Sequence, residues 1–407
     1  MDTGDTAWVL MSTALVMLMT PALGFFYGGL VQRKNVLATI MHSFFILALI
    51  SVVWVLWGYS LAFAPGGQWI GGLEWIGFQG VGLEPNPTYA ATIPHQLFAV
   101  YQMMFAAITP ALITGAFAER KRFKAMVVFS VLWSTLVYAP VAHWVWSPDG
   151  WLFQLGALDF AGGTVVHITS GVSALVAAMV LGKRLGFGKE AMEPHNLTYT
   201  VLGAGLLWFG WFGFNAGSAL GANGLAANAF VVTNTAAAMG ALTWMSVSWL
   251  RHGHPSVLGA AAGAVAGLVA ITPAAGFVDP LAAILIGFGA GVFCFLGVDL
   301  LKKVVKVDDA LDVFAVHGVG GIWGALATGL FAQEAIRGLP ATNGLFYGAP
   351  EQFGKQVVAV VAVGLFAGAA TWIILKLIDV TVGLRVPEQE EVLGLDTTTH
   401  GEAAYQL

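Results

Sequence analysis

LDFAGGTVVHITSG at residues 158–171 and DDALDVFAVHGVGG at residues 308–321 are two versions of one segment. His167 and His317 lie 150 residues apart, and each is preceded by Val and followed four residues later by Gly. Asp159 and Asp309 each stand eight residues before their histidine. A repeat of this length inside an apolar chain means that the same arrangement is built twice. Its handedness depends on how many membrane spans separate equivalent points.

Apolar runs long enough to cross a bilayer, about 20 residues each, fall at 6–29, 38–63, 95–118, 123–145, 163–182, 197–218, 226–250, 256–273, 279–301, 312–332 and 354–380. The two histidines fall in the fifth and tenth of these eleven. Five is odd, so the second copy enters from the opposite side, and the copies are related by an axis in the membrane plane. The eleventh span lies outside the repeat as a brace. The expected fold is an all-α polytopic membrane protein of eleven transmembrane helices, an inverted five-helix repeat plus one extra helix.

The basic residues check this count independently. Arg33 and Lys34 follow span one, Arg120, Lys121, Arg122 and Lys124 follow span three, and Lys183, Arg184 and Lys189 follow span five. Arg251 follows span seven, Lys302, Lys303 and Lys306 follow span nine, and Lys376 and Arg385 close span eleven. Only Arg337 and Lys355 break the alternation. The positive-inside rule then places the N-terminus outside and the C-terminus in the cytoplasm. Residues 1–380 form the membrane domain, residues 381–407 a polar cytoplasmic tail without a core of its own, and the loop at 64–94 an ordered outer cap.

Composition agrees. The chain is 58% hydrophobic and 10% charged, with mean hydropathy +0.79, against about 25% charged residues in an ordinary soluble domain. Lipid is its solvent. A net charge of −5 offers nothing to a nucleic acid. The one cysteine, Cys294, stands in an apolar run and forms no internal disulfide. MDTGDTAWVL has two Asp and no Lys or Arg, so the first apolar run reads as a membrane helix and not a signal peptide.

Polar groups at membrane depth mark a path or a contact. His167 and His317 at equivalent points of a repeat can meet at mid-depth, one imidazole donating and the other accepting. Alternatively each bonds separately between helices. Two histidines without further ligands make a poor zinc site, and no metal or other cofactor is expected. Asp159 can draw a cation to the outer mouth or cap the following helix, and the two roles are compatible. Trp146 sits where interfacial tryptophans gather, and also where a ring face would receive a cation. Phe105 and Phe214 read equally as packing or as lining.

Five motifs and the tail carry a family resemblance. GFFYGGLVQRKN at 24–35, ITPALITGAFAERKRF at 108–123, LDFAGGTVVHITSG at 158–171, WFGWFGFNAGS at 208–218 and DVFAVHGVGGIWG at 312–324 resemble the ammonium transporter family (the Amt/Mep/Rh group) over essentially the whole chain. GLRVPEQEEVLGLDTTTHGEAAY at 383–405 is similar to the cytoplasmic signature of the Amt branch. The resemblance implies a homotrimer in the cell membrane, each subunit with its own pore for ammonium or methylammonium. It implies an outer recruitment site at Trp146, Phe105 and Ser218, a gate at Phe105 and Phe214, and a twin-histidine pore at His167 and His317. Asp159 maps onto a structurally needed carboxylate, and Trp211, Gln102 and Thr272 onto positions along the path. A PII-type signalling protein is the implied cytoplasmic partner, with the tail as its regulatory element.

Two other readings stay in view: an ammonium sensor that signals through its tail, and an Rh-like gas channel. Sensors of this kind usually carry an added signalling domain, and a tail ending at Leu407 is short for one. No Ser/His/Asp arrangement, HExxH or paired catalytic carboxylates occur in the spans, so an enzyme is not expected.

Overall fold

The computed structural model describes residues 1–405. Its spanning helices are α1 (Thr3–Leu30), α2 (Arg33–Phe63), α3 (His95–Phe117), α4 (Phe123–Leu155), α5 (Gly163–Leu181), α6 (Leu197–Ala219), α7 (Gly224–His252), α8 (Val257–Ile271), α9 (Pro280–Val305), α10 (Phe314–Phe331) and α11 (Pro350–Thr381). Helix is what apolar runs of this length must form in lipid, because no water is there to satisfy the backbone. Ten of the eleven are long and apolar enough to span; α8 is shorter.

The expected span at 256–273 therefore ends early. Its helix stops at Ile271, before Pro273, and residues Thr272–Val278 turn back into the protein with every residue buried. Non-helical backbone at membrane depth is tolerated where protein covers it. Here the covered turn also has a task, because the Pro273 carbonyl accepts the Phe160 N–H at 3.1 Å.

Glycines set how closely the two halves approach. A Cβ on Gly171 would lie 2.1 Å from the Gly318 nitrogen, and one on Gly321 would lie 3.0 Å from the His167 Cβ. The glycine four residues after each histidine thus packs on the other histidine's segment. This reciprocity is what a two-fold relation produces. Both segments open with a π-helical turn, at Gly163–Ile168 and Phe314–Val319. Such turns are rare and often mark functional sites. Helices α1 and α6, the first of each five, also pack closely, with Gly203 set against the Phe26 backbone.

On the face opposite the basic loops, residues 64–94 form an ordered cap. It carries a short hairpin of β1 (Pro85–Asn86) and β2 (Ala90–Pro94). Tyr59 stacks on Trp75 with ring centroids 5.4 Å apart, and the Tyr59 hydroxyl lies 2.6 Å from His95 Nε2.

On the basic face the tail folds back onto the helix ends. It contains α12 (Glu388–Leu393) and α13 (Leu395–His400). Asp396 accepts the backbone N–H groups of Leu37 and Ala38 at 3.0 and 2.8 Å, and so caps α2. Arg385 pairs with Glu391, whose other oxygen accepts the Leu185 N–H at 2.8 Å. Lys121, beside the tail, is buried between the rings of Phe117 and Phe129, 3.7 and 4.1 Å from their centroids.

Candidate functional site

The path is built where α5 and α10 cross. Each histidine rides on a π-helical turn whose start is fixed by an aspartate. Asp159 accepts from the backbone N–H groups of Gly162, Gly163, Thr164 and Val165, and from the Thr164 hydroxyl. Burial pushes its carboxyl above the usual value, and the bonds from Thr164, Gly162 and Val165 pull against that. These bonds make Asp159 a cap for the following helix, and it also lines the wide mouth of the path. Asp309 is the counterpart, accepting the Phe314 N–H at 2.7 Å. Asp159 and Asp309 lie at opposite faces, so α5 and α10 run in opposite directions.

The consequence is that His167 and His317 meet. Their Nδ1 atoms are 3.1 Å apart and their rings are inclined by 23°. Both are buried, and both line a narrow apolar cavity of about 10 Å³ with Leu23, Phe26, Trp211 and Phe214. That is room for roughly one water-sized molecule. His167 Nε2 is buried without a hydrogen-bond partner.

Above the histidines the path is shut by aromatic rings. Phe105 and Phe214 lie 4.3 Å apart between centroids, and Phe214 lies 6.0 Å from His167. Trp146 meets Phe105 edge-on, 6.0 Å between centroids at 88°. Its indole N–H donates to the Asp159 carbonyl at 3.0 Å, which aims the ring. Beyond these rings a cavity of about 620 Å³ opens on the capped face, lined by Gln102, Phe105, Trp146, Asp159 and Ser218 among others. Within it, Gln102 Oε1 is buried and unpaired.

The sequence-derived residues thus fall into two groups. Phe105, Gln102, Trp146, Asp159 and Ser218 meet at the wide mouth, and His167, His317, Trp211 and Phe214 at the narrow cavity. Thr272 lies behind the path, where its hydroxyl accepts the Trp211 indole N–H at 2.9 Å. Tyr101 was not anticipated. Its hydroxyl lies 3.1 Å from Ser218 Oγ and within 3.0 Å of the Gly213 and Phe214 carbonyls. A tyrosine in an apolar helix gives no local signal for that. Arg184 was read only as a topology marker. It bonds Asp308 through two nitrogens and reaches Glu119 at 2.6 Å.

A wide mouth, an aromatic stopper and paired imidazoles in a narrow apolar slot thus lie one after another. A model of the Ammonium Transporter Family matches residues 7–405. The chain belongs to this family. It is 57% identical over 406 residues to the ammonium transporter of Bacillus subtilis, covering 100% of this chain and 99% of that one. It is 49% identical over 407 residues to the ammonium transporter Amt1 of Archaeoglobus fulgidus, covering 100% of both. Among solved structures, Saccharomyces cerevisiae Mep2 superposes with a TM-score of 0.90 at 40% identity, over 95% of this chain and 88% of that chain. A chain described as a sensor Amt protein superposes with a TM-score of 0.90 at 30% identity, over 98% of each chain. As a family member the chain is a multi-pass membrane protein of transporter type.

Proposed function

We propose that this protein carries ammonium across the cell membrane by recruiting the cation at the wide mouth, giving up its proton to water in that mouth beside the Phe105–Phe214 gate and passing ammonia along His167 and His317. The observation that carries this reading is the imidazole pair, Nδ1 to Nδ1 at 3.1 Å, buried in a slot of about 10 Å³. Burying an unpaired ion in such surroundings costs far more than burying a neutral polar molecule. Ammonium and potassium carry the same charge at similar size, so charge cannot separate them. Only ammonium can shed a proton and continue as a neutral species.

At the mouth, the Trp146 face and the Phe105 edge supply aromatic surface for a cation. Ser218 Oγ and Gln102 Oε1 supply oxygen acceptors for ammonium N–H groups, and potassium has none to give. Asp159 serves by holding the start of α5 and, through its carbonyl, the Trp146 ring.

The mouth faces outside and the basic loops face the cytoplasm, in keeping with the charge alternation. Residues 1–380 form the transport domain and 381–407 a regulatory tail, and three copies assemble with a separate path in each. A PII-type signalling protein docks on the cytoplasmic face, where the tail is tied to the loops after α1, α3 and α5. Likeness to a sensor Amt protein keeps signalling as a second reading. Purified protein in liposomes decides among these: saturable uptake of labelled methylammonium supports transport. Gas flux without such uptake would favour an Rh-like channel, and neither flux would favour a sensor.

A further inference from the structure

The two aspartates at equivalent points of the repeat are not equivalent chemically. Asp159 has both oxygens occupied by five donors. Asp309 spends Oδ2 on the Phe314 N–H at 2.7 Å, while Oδ1 is buried with no hydrogen-bond partner. The residue is 2% exposed. A buried carboxylate oxygen without a donor is costly, and nothing about starting a helix requires it, since the Asp159 end shows how the same turn is fully satisfied.

The neighbours explain what such a group can do. Asp309 stands one residue from Asp308 and three from Asp312, with Lys302 approaching from the end of α9 and Arg120 from the loop between α3 and α4. Arg120 and Arg184 direct their nitrogens to the Asp308 carbonyl and carboxylate, and Lys302 pairs with Asp312 at 2.7 Å. None of these cations bonds Asp309. Tyr27 of α1 lies in its field and donates its hydroxyl to the Leu112 carbonyl at 2.9 Å. Leu112 lines the histidine slot with Phe26. Asp309 therefore stands between the basic loops and the helices that line the histidine slot, eight residues before His317 on the same segment.

Resting on the transport reading above, we propose that Asp309 is the proton-exchange group at the exit. Its carboxylic acid gives a proton to ammonia leaving the histidine pair, forming ammonium and a carboxylate. That carboxylate then takes a proton back from hydronium in the water on the basic face. Ammonia is much the stronger base, so the first step runs downhill. Burial, and then the nearby Asp312 charge, push the Asp309 carboxyl up to about 7. It is then substantially protonated near neutrality and can be reloaded there. The saturated Asp159 offers no such exchange at the entrance, so the two ends of a symmetric fold differ in proton chemistry.

The test uses the full chain in liposomes, with outer pH and ammonium fixed and inner pH varied. Asp309→Asn keeps an oxygen for the Phe314 N–H and removes the titration. The wild-type rate, divided by the Asn variant's rate under the same gradients, should fall about tenfold between about pH 6 and about pH 8 inside, as one carboxyl near 7 titrates. In infrared spectra the wild type should show a protonated-carboxyl band that titrates over the same range and is absent in Asp309→Asn. A flat rate ratio, or an unchanged band in the variant, overturns the proposal. Should Asp309→Asn fail to fold, Asp309→Glu decides: an inner-pH inflection displaced from the wild type's supports the assignment, and one that does not move overturns it. Absence of ammonium transport in the wild type itself would instead refute the transport reading.

Discussion

His167 and His317 face each other through like atoms, Nδ1 to Nδ1 at 3.1 Å, so only one of the two nitrogens carries the hydrogen between them. The Nε2 atoms are then unlike: the ring that donates at Nδ1 has an acceptor at Nε2, and its partner has a donor. An ammonia passing along the pair, as proposed, would meet one of each. Removing either ring leaves the other without its bond, a local loss of about 1–3 kcal/mol, and widens the slot. His167→Ala or His317→Ala should reduce ammonium flux or admit potassium, and an acidic replacement should favour ion conduction. Current and flux measured together in liposomes check this; wild-type rates with full potassium exclusion in both alanine variants would contradict it.

Trp146 is held by one hydrogen bond to the Asp159 carbonyl and one edge contact with Phe105. Trp146→Leu removes the aromatic face and frees that carbonyl. Ammonium binding at the mouth should weaken by about 0.5–2 kcal/mol, seen as a raised half-saturation concentration for methylammonium uptake. A half-saturation equal to wild type would leave Trp146 as an interfacial anchor only.

Much of the fold was legible in the sequence, and the limits have physical causes. The Lys and Arg alternation reports which loops lie on one face, so it counts helices well, including the short α8. The glycine four residues after each histidine was visible as part of a repeat, but its reason, contact with the other segment, needs the crossing of α5 and α10. Thr272 behind Trp211 and Tyr101 beside Ser218 are single long-range hydrogen bonds, which leave no periodicity to read. The same holds for Asp396, whose partners on α2 are more than 350 residues away.

Arg184 makes the basic face pH-sensitive in acid. Burial alone would raise the Asp308 carboxyl, but the Arg184 hydrogen bonds and charge, with Arg120, hold it below its usual value. A carboxyl lowered in this way stabilises the fold above its unfolded value, about 3.9, and the contribution is lost as pH falls through the folded value. Arg184→Met leaves Asp308 and Glu119 buried without their cation. It should destabilise by about 3–5 kcal/mol near neutrality, with the difference shrinking below about pH 4. Thermal unfolding in detergent, followed by tryptophan fluorescence across pH, measures both.

The tail is fastened chiefly through Asp396 and Glu391. Asp396→Ala removes the cap of α2, a loss of about 0.5–2 kcal/mol, and frees α13 from the helix end it holds. The tail should become a preferred protease site while the membrane helices stay folded, and transport in liposomes should change. A variant cleaved no faster than wild type would mean that the remaining ties, among them Lys34 to Glu391 and Val392, Leu185 to Glu391 and Leu395 to Asn35, suffice. Faster cleavage with unaltered transport would make the tail a passive appendage.

The orientation rests on charge, and one labelling experiment tests it. Gln68 is exposed on the cap, its side-chain amide donating to Gln154 at 3.0 Å. Cys294 is fully buried, so a Cys294→Ala background removes the single native thiol without touching the surface. Gln68→Cys in that background should react with a membrane-impermeant thiol reagent added to intact cells, and Lys124→Cys on the basic face only after the membrane is opened. The rule behind this concerns short loops, and the loop joining α3 and α4 is short enough to obey it. Labelling of Lys124→Cys, but not Gln68→Cys, in intact cells would reverse the whole assembly. The wide mouth with Trp146 would then face the cytoplasm, Asp309 would stand at the entrance, and the proposed direction of recruitment would have to be inverted.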